Sequence, residues 1–237
     1  GIGHGDYLFR EDMHGREVFQ ILRDSDCTAY VEFGVQGASD VDHLKTFIPE
    51  SELFPPRLGT AWQTHHGVAS WGADGWLKQS VIEDYFGPSP DLATLVKHSQ
   101  LMQCEGYKCL FEESRRHKPR ASMALNWLFN EPWPSAVNLS LISWPARPKP
   151  ALAAVGAACR PVLASARIPK FRWTEGEAFN PELWILNDTY SRIDGGTLGA
   201  FLIVDGQEHL LLQWEFPAIE ANLNCAGPTA DFRLDAY

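Results

Sequence analysis

The chain contains no run of about 18 consecutive apolar residues, so no segment reads as a membrane-spanning helix. Positive charge is scarce. Twenty Lys and Arg stand against 30 Asp and Glu, a formal net charge of −10, which argues against nucleic acid as a partner because phosphate binding needs a basic surface. Cysteine is limited to Cys27, Cys104, Cys109, Cys159 and Cys225. An odd, scattered set is a poor disulfide framework, and all five read as small buried hydrophobes. No Cys or His cluster has zinc-ligand spacing, so neither a metal nor a cofactor is expected. Internal repeats, low-complexity stretches and disordered segments are missing as well. The opening Gly1-Ile2-Gly3-His4 has no initiator Met or leader in front of it and reads as the interior of a longer reading frame. The compartment stays open.

What is present is enough apolar material, 45% of 237 residues, for one or two packed cores. Six of the nine tryptophans fall between Trp62 and Trp144. Such a cluster suits plain core, and it also suits sugar binding, because flat aromatic faces pack on the C–H faces of pyranose rings. Residues 1–160 alternate strand-like and helix-like segments. Thr28–Phe33 is a short β-branched and aromatic run stopped by Gly34, with one acid, Glu32, near its end. Ser39 and Asp42 form a capping-box pattern ahead of a short helix that ends at Pro49. Residues 49–88, rich in Pro, Gly and Trp, read as a long functional loop with short helical pieces. A helix over about 90–117 is capped by Ser89, has Pro90 at its first position, and ends in the basic run Arg115–Lys118, read as a solvated terminus. Met123–Phe129 reads as a further strand and Pro150–Ala158 as an Ala-rich helix. Beyond Arg167 helical periodicity gives way to strands at 171–173, 183–186, 198–204 and 209–216, with Asp205-Gly206 a hairpin signal.

Tyr30-Val31-Glu32-Phe33-Gly34 resembles the nucleophile strand of glycoside hydrolase family 2, most closely its β-mannosidase branch, with Val31 where that branch has Ser. Asn126–Pro134 resembles that branch's Trp-x-x-Asn-Asp-x-Trp-Pro segment, with Glu131 where Asp is usual. Ser99–Gln103, Arg115-Arg116, Arg147–Pro150 and Arg160–Leu163 continue the likeness, which covers roughly residues 25–165. It departs at Asn138–Ser143, where the branch often carries a Trp and an Ile-Asp pair, so the sugar is left undecided.

The resemblance implies the C-terminal portion of a (β/α)8 TIM barrel over residues 1–165 (the sixth to eighth strand region). An antiparallel immunoglobulin-like β-sandwich segment then occupies residues 166–237. It also implies a retaining, exo-acting β-glycosidase in which Glu32 is the nucleophile. Trp127 would be the floor of the sugar site or else barrel core, Asn130 would hydrogen-bond sugar hydroxyls or else satisfy the turn backbone, Trp133 would stack on the ligand or else pack under its loop, and His4, Asp6 and Tyr7 would reach the site from the sixth strand. Glu131 would be a turn and wall residue, while His65 and His66, from their place in the long loop, read either as lining the entrance or as plain surface histidines. In such an enzyme a second carboxyl group stands about 5–5.5 Å from the nucleophile to protonate the leaving oxygen. In the family that acid precedes the nucleophile strand, so it is expected outside this chain. A complete barrel needs about 250 residues, and residues 1–160 hold at most three of its strands. The expected partners are therefore a carbohydrate substrate and a missing N-terminal portion, from the same gene or a separate chain. The alternative is a non-catalytic carbohydrate-binding or scaffold piece.

Overall fold

The computed structural model describes residues 1–5, 7–69 and 75–233. Strand β1 (Ile2–His4) leads through helix α1 (Val18–Arg23) to β2 (Ala29–Phe33). A long excursion follows: β3 (Gly37–Ala38), α2 (Val41–Leu44), a 3₁₀ turn (Glu50–Glu52), α3 (Ala61–Thr64), α4 (Gln79–Phe86) and α5 (Leu92–Arg116). The chain then returns as β4 (Ala124–Asn126), pairs β5 (Val137–Asn138) with β3, forms the hairpin β6 (Ile142–Ser143) and β7 (Arg147–Pro148), and enters α6 (Pro150–Ala158). Strands β1, β2 and β4 make one parallel sheet in that order. Each parallel pairing requires a crossover, which the intervening helices supply.

The local sequence of β2 decides what faces where. Strict alternation would put Tyr30 and Glu32 on one face. Instead, the register against β1 slips from Gly3↔Tyr30 to His4↔Glu32, and against β4 from Tyr30↔Ala124 to Phe33↔Asn126. One extra residue in β2 is a β-bulge, which re-aims a side chain. Tyr30 and Phe33 stay in the core, with Phe33 against Tyr107 and Phe111 of α5, while Glu32 is released to the other side.

Helix α5 is the backbone of this core. Leu95, Tyr107 and Leu110 are fully buried, and Trp62 and Ile48 from the long excursion pack in the same cluster. Its cap is not Ser89 but Asp91, whose carboxylate accepts the Thr94 N–H at 2.8 Å. The expected Ser39–Asp42 capping box does not form either. Asp40 precedes α2, and the Ser39 hydroxyl donates to Ser135 O at 2.8 Å, tying the loop after β2 to the loop after β4. The expected strand Met123–Phe129 is paired only over Ala124–Asn126. None of the five cysteines is in a disulfide; Cys159 is exposed and the other four are half-buried, not fully buried as expected.

The second part is antiparallel. β8 (Val162–Arg167), β9 (Ala178–Phe179), β10 (Glu182–Asn187), β11 (Gly196–Val204), β12 (Gln207–Phe216), β13 (Asn224–Thr229) and β14 (Phe232–Arg233) form the sheet β13-β10-β8 and the pairs β11-β12 and β14-β9. Asp205 and Gly206 both take positive φ at the β11–β12 turn, as a tight hairpin demands. No strand forms at 171–173; Phe171 instead packs on Phe9 and Phe19. The expected junction at 165/166 falls inside β8, whose antiparallel pairing begins at Val162.

The basic end of α5 is not solvated. Arg116 is buried, pairs with Glu113 at 2.8 Å and Glu112 at 3.2 Å, and donates to Ser165. Arg167 of β8 joins Glu113 to Glu182. Arg115 pairs with Asp188 at 2.8 Å. These charges bolt α5 to the antiparallel sheet.

Candidate active site

A cavity of about 680 Å³ opens beside the ends of β1 and β2, lined among others by His4, Tyr7, Glu32, Trp76 and Trp127. Its volume suits one sugar or a small ligand. Glu32 reaches it because of the bulge in β2. Its side chain is 31% exposed, so the carboxylate is neither sealed in the core nor fully in solvent. The Tyr7 hydroxyl donates to Oε1 at 2.6 Å, and His4 Nε2 lies 3.2 Å from Oε2. No Lys or Arg salt bridge forms with Glu32 among the described residues. One oxygen is thus held by a phenol and the other lies beside an imidazole, an arrangement that fixes the carboxylate's orientation at the cavity.

Trp127 follows β4. Its backbone N–H donates to Phe33 O at 2.8 Å, continuing the pairing one residue past the strand and setting the indole beside Tyr7, ring centres 5.4 Å apart and edge-on. Trp76 meets it from the long excursion at 6.4 Å. Gly34 permits this approach. A Cβ there would stand 2.6 Å from Trp127 O and 2.9 Å from the Leu139 side chain, so the glycine after Glu32 and Phe33 is a packing requirement.

Of the residues singled out from sequence, His4, Tyr7, Glu32 and Trp127 come together in this cavity. Asp6 lies outside the described residues. Asn130, Trp133 and His65 are not brought to it. Asn130 is exposed and bridges Ile142. Trp133 stacks on His65, ring centres 5.1 Å apart, and meets His66 edge-on. The His65 ring is further held 2.7 Å from Pro134 O, so these rings satisfy one another within the loops.

Glu131 is no wall of the cavity either. It is buried, accepts from Ser140, and pairs with Lys149 at 3.2 Å. Lys149 is also buried and donates to Gly37 O at 3.0 Å and Asn138 O at 3.2 Å. Burial pulls its ammonium below the usual lysine range, with Glu131 pulling the other way. This pair clamps the loop after β2 against the loop after β4.

Sequence reasoning missed Gln36, Lys78 and Asp12, all of which line the cavity. Lys78 and Asp12 pair at 2.9 Å across 66 residues, which no local pattern announces. Gln36 did carry a signal: it is a polar residue in the otherwise apolar and glycine-rich run Gly34–Ala38. Among the described residues no group of three His, Cys, Asp or Glu could hold a metal ion, and no helix is long and apolar enough to cross a membrane.

No family model matches the chain. In sequence it is similar to β-mannosidase B of Aspergillus niger, 25% identical over 204 residues, which is 81% of this chain and 23% of that protein. The β-mannosidase B of Aspergillus terreus matches over the same shares at 24% identity. In fold it is similar to the β-D-mannosidase of Dictyoglomus thermophilum, with a TM-score of 0.73 at 22% identity, covering 98% of this chain and 26% of that one. A complex of Amycolatopsis orientalis exo-chitosanase CsxA with PNP-β-D-glucosamine gives a TM-score of 0.65 at 18% identity, covering 99% and 26%. The chain is thus β-mannosidase-like over four fifths of its length, as the motifs around Glu32 and Trp127 implied, and its relatives are glycoside hydrolases. It spans about a quarter of the length of the curated relatives it matches.

Proposed function

We propose that this chain carries the nucleophile half of a retaining β-glycosidase site, β-mannosidase-like and exo-acting. In this reading β1, β2 and β4 are the sixth to eighth strands of a (β/α)8 barrel, and the antiparallel part is a sandwich segment behind it. The observation that carries the reading is the setting of Glu32: a carboxylate at the C-terminal end of a parallel strand, oriented by Tyr7 and His4, at the mouth of a tryptophan-walled cavity. Barrel enzymes place their reacting groups at that end of their strands.

The chemistry follows. A Glu32 oxygen attacks the anomeric carbon as the bond to the leaving oxygen breaks, giving a glycosyl ester. Tyr7 holds Oε1, so the carboxylate meets the sugar in one orientation. Trp127 offers an apolar face to the ring. The leaving oxygen takes its proton from a carboxylic acid supplied by a further segment that completes the barrel, and water later hydrolyses the ester with that same group as base.

A 2-deoxy-2-fluoro-β-mannosyl fluoride tests this directly. Fluoride departs without protonation, so the reagent needs the nucleophile and not the acid. Covalent mass on the peptide containing Glu32, absent in Glu32→Gln, is the expected result. Reversible binding without labelling supports the carbohydrate-binding alternative, and the absence of both refutes each of them.

A further inference from the structure

Four residues beyond Glu32 the cavity holds a side chain with no assigned role. Gln36 is 7% exposed, lines the 680 Å³ cavity, and also borders a second space of about 10 Å³ behind it, next to Arg10, Ser99 and Met102. Its amide oxygen is buried without a hydrogen-bond partner among the described residues. An amide oxygen left so costs the fold stability, and a chain that needed only packing here would be served by an apolar side chain. The loop that carries it is held on either side. Gln103 donates to Val35 O at 2.9 Å, Lys149 to Gly37 O at 3.0 Å, and the Ala38 N–H donates to Ser99 Oγ at 3.0 Å. A Cβ at Gly37 would stand 2.2 Å from the Gln103 side chain, so the backbone has no room to drift. Gln36 is therefore a nearly buried carboxamide on a fixed support in the wall of a ligand-sized space.

We propose that the Gln36 carboxamide is a hydroxyl-reading group of the cavity, selecting a polyhydroxylated ring by hydrogen-bonding one of its hydroxyls. A hydroxyl is donor and acceptor at once and suits either end of the amide. The proposal rests on the glycosidase reading of the same cavity and adds a specificity contact to it.

The test uses the full chain and D-mannose with its 2-, 3-, 4- and 6-deoxy counterparts, titrated by NMR or calorimetry. Gln36→Met, linear and of similar length, is expected to weaken D-mannose binding about tenfold, the scale of one lost hydroxyl contact. It leaves the affinity for one deoxy sugar unchanged, because that sugar already lacks the partner. Its thermal midpoint does not fall, because a buried oxygen without a partner has been removed. A structural role predicts the opposite: a lower midpoint with equal losses for every sugar. That result, or unchanged D-mannose affinity, overturns the proposal. Gln36→Leu is the second variant if Gln36→Met fails to fold. Labelling of Glu32 with unaltered sugar affinity in the Gln36 variants sinks this inference and spares the glycosidase reading; no labelling and no sugar binding by the unaltered chain sinks both.

Discussion

Glu131→Leu removes one partner of a pair whose side chains are 0% and 1% exposed. At 3.2 Å the attraction lost is about 5 kcal/mol with an effective dielectric of about 20. Removing one side of such a pair costs about 3–5 kcal/mol, because the other charge stays buried. The Lys149 ammonium would keep only the carbonyls of Gly37 and Asn138, and the Ser140 hydroxyl would lose its acceptor. For a chain of this length the thermal midpoint should fall by on the order of 10 °C. The loss has a pH signature. Burial already holds Lys149 below its ordinary value of 10.5, and Glu131 is the largest influence raising it; without Glu131 it sinks further. Below 10.5 the unfolded chain binds the proton that the folded variant resists, so the variant's stability rises with pH, by up to about 1.4 kcal/mol per pH unit. Urea unfolding at pH 7 and pH 9.5 measures this. The gap to the parent chain should narrow at the higher pH, and Glu131→Leu/Lys149→Met should recover most of the loss. A loss under about 1 kcal/mol, a gap that widens with pH, or a double variant no better than the single one refutes the reasoning.

Two further outcomes are expected. Tyr7→Phe deletes the 2.6 Å bond to Glu32; hydrogen bonds to charged groups are worth about 1.5–3 kcal/mol, so fluorosugar labelling should slow by tenfold or more, read as the time course of the labelled peptide. Gly34→Ala forces a Cβ against Trp127 O and Leu139, and urea unfolding should show a loss of about 1–3 kcal/mol, together with quenched or shifted tryptophan emission as Trp127 is displaced.

The strands and helices with strong local patterns were legible: the run ending at Phe33, the Ala-rich helix at 150–158, and the hairpin at Asp205-Gly206. Glu32 and Trp127, which the motifs mark, line one cavity together with His4 and Tyr7, and the roles of all four remain part of the proposal above. Contacts made by long-range packing were not legible. Nothing local distinguishes Arg116, locked between two carboxylates of its own helix and a serine of β8, from an ordinary solvated helix end. Trp133 and His65 look like sugar-facing residues until the loops fold and the two rings stack on each other. The bulge in β2 is likewise invisible in sequence, since Tyr30 and Glu32 fit a plain alternation, and only the neighbouring strands impose the slip. Asp91 took the cap from Ser89 because its carboxylate reaches the Thr94 amide, a choice between two good capping residues that spacing alone leaves open.

The charged bolt between α5 and β8 bears on how this protein can be cut for experiment. Trimming the chain at the end of α6 to isolate the half that holds the cavity would discard Ser165, Arg167 and Glu182 together. Glu112 and Glu113 would be left with one arginine where they now share two. An expression boundary drawn where the secondary structure changes would fall across the joint that keeps α5 in place, and α5 supports the strand that presents Glu32.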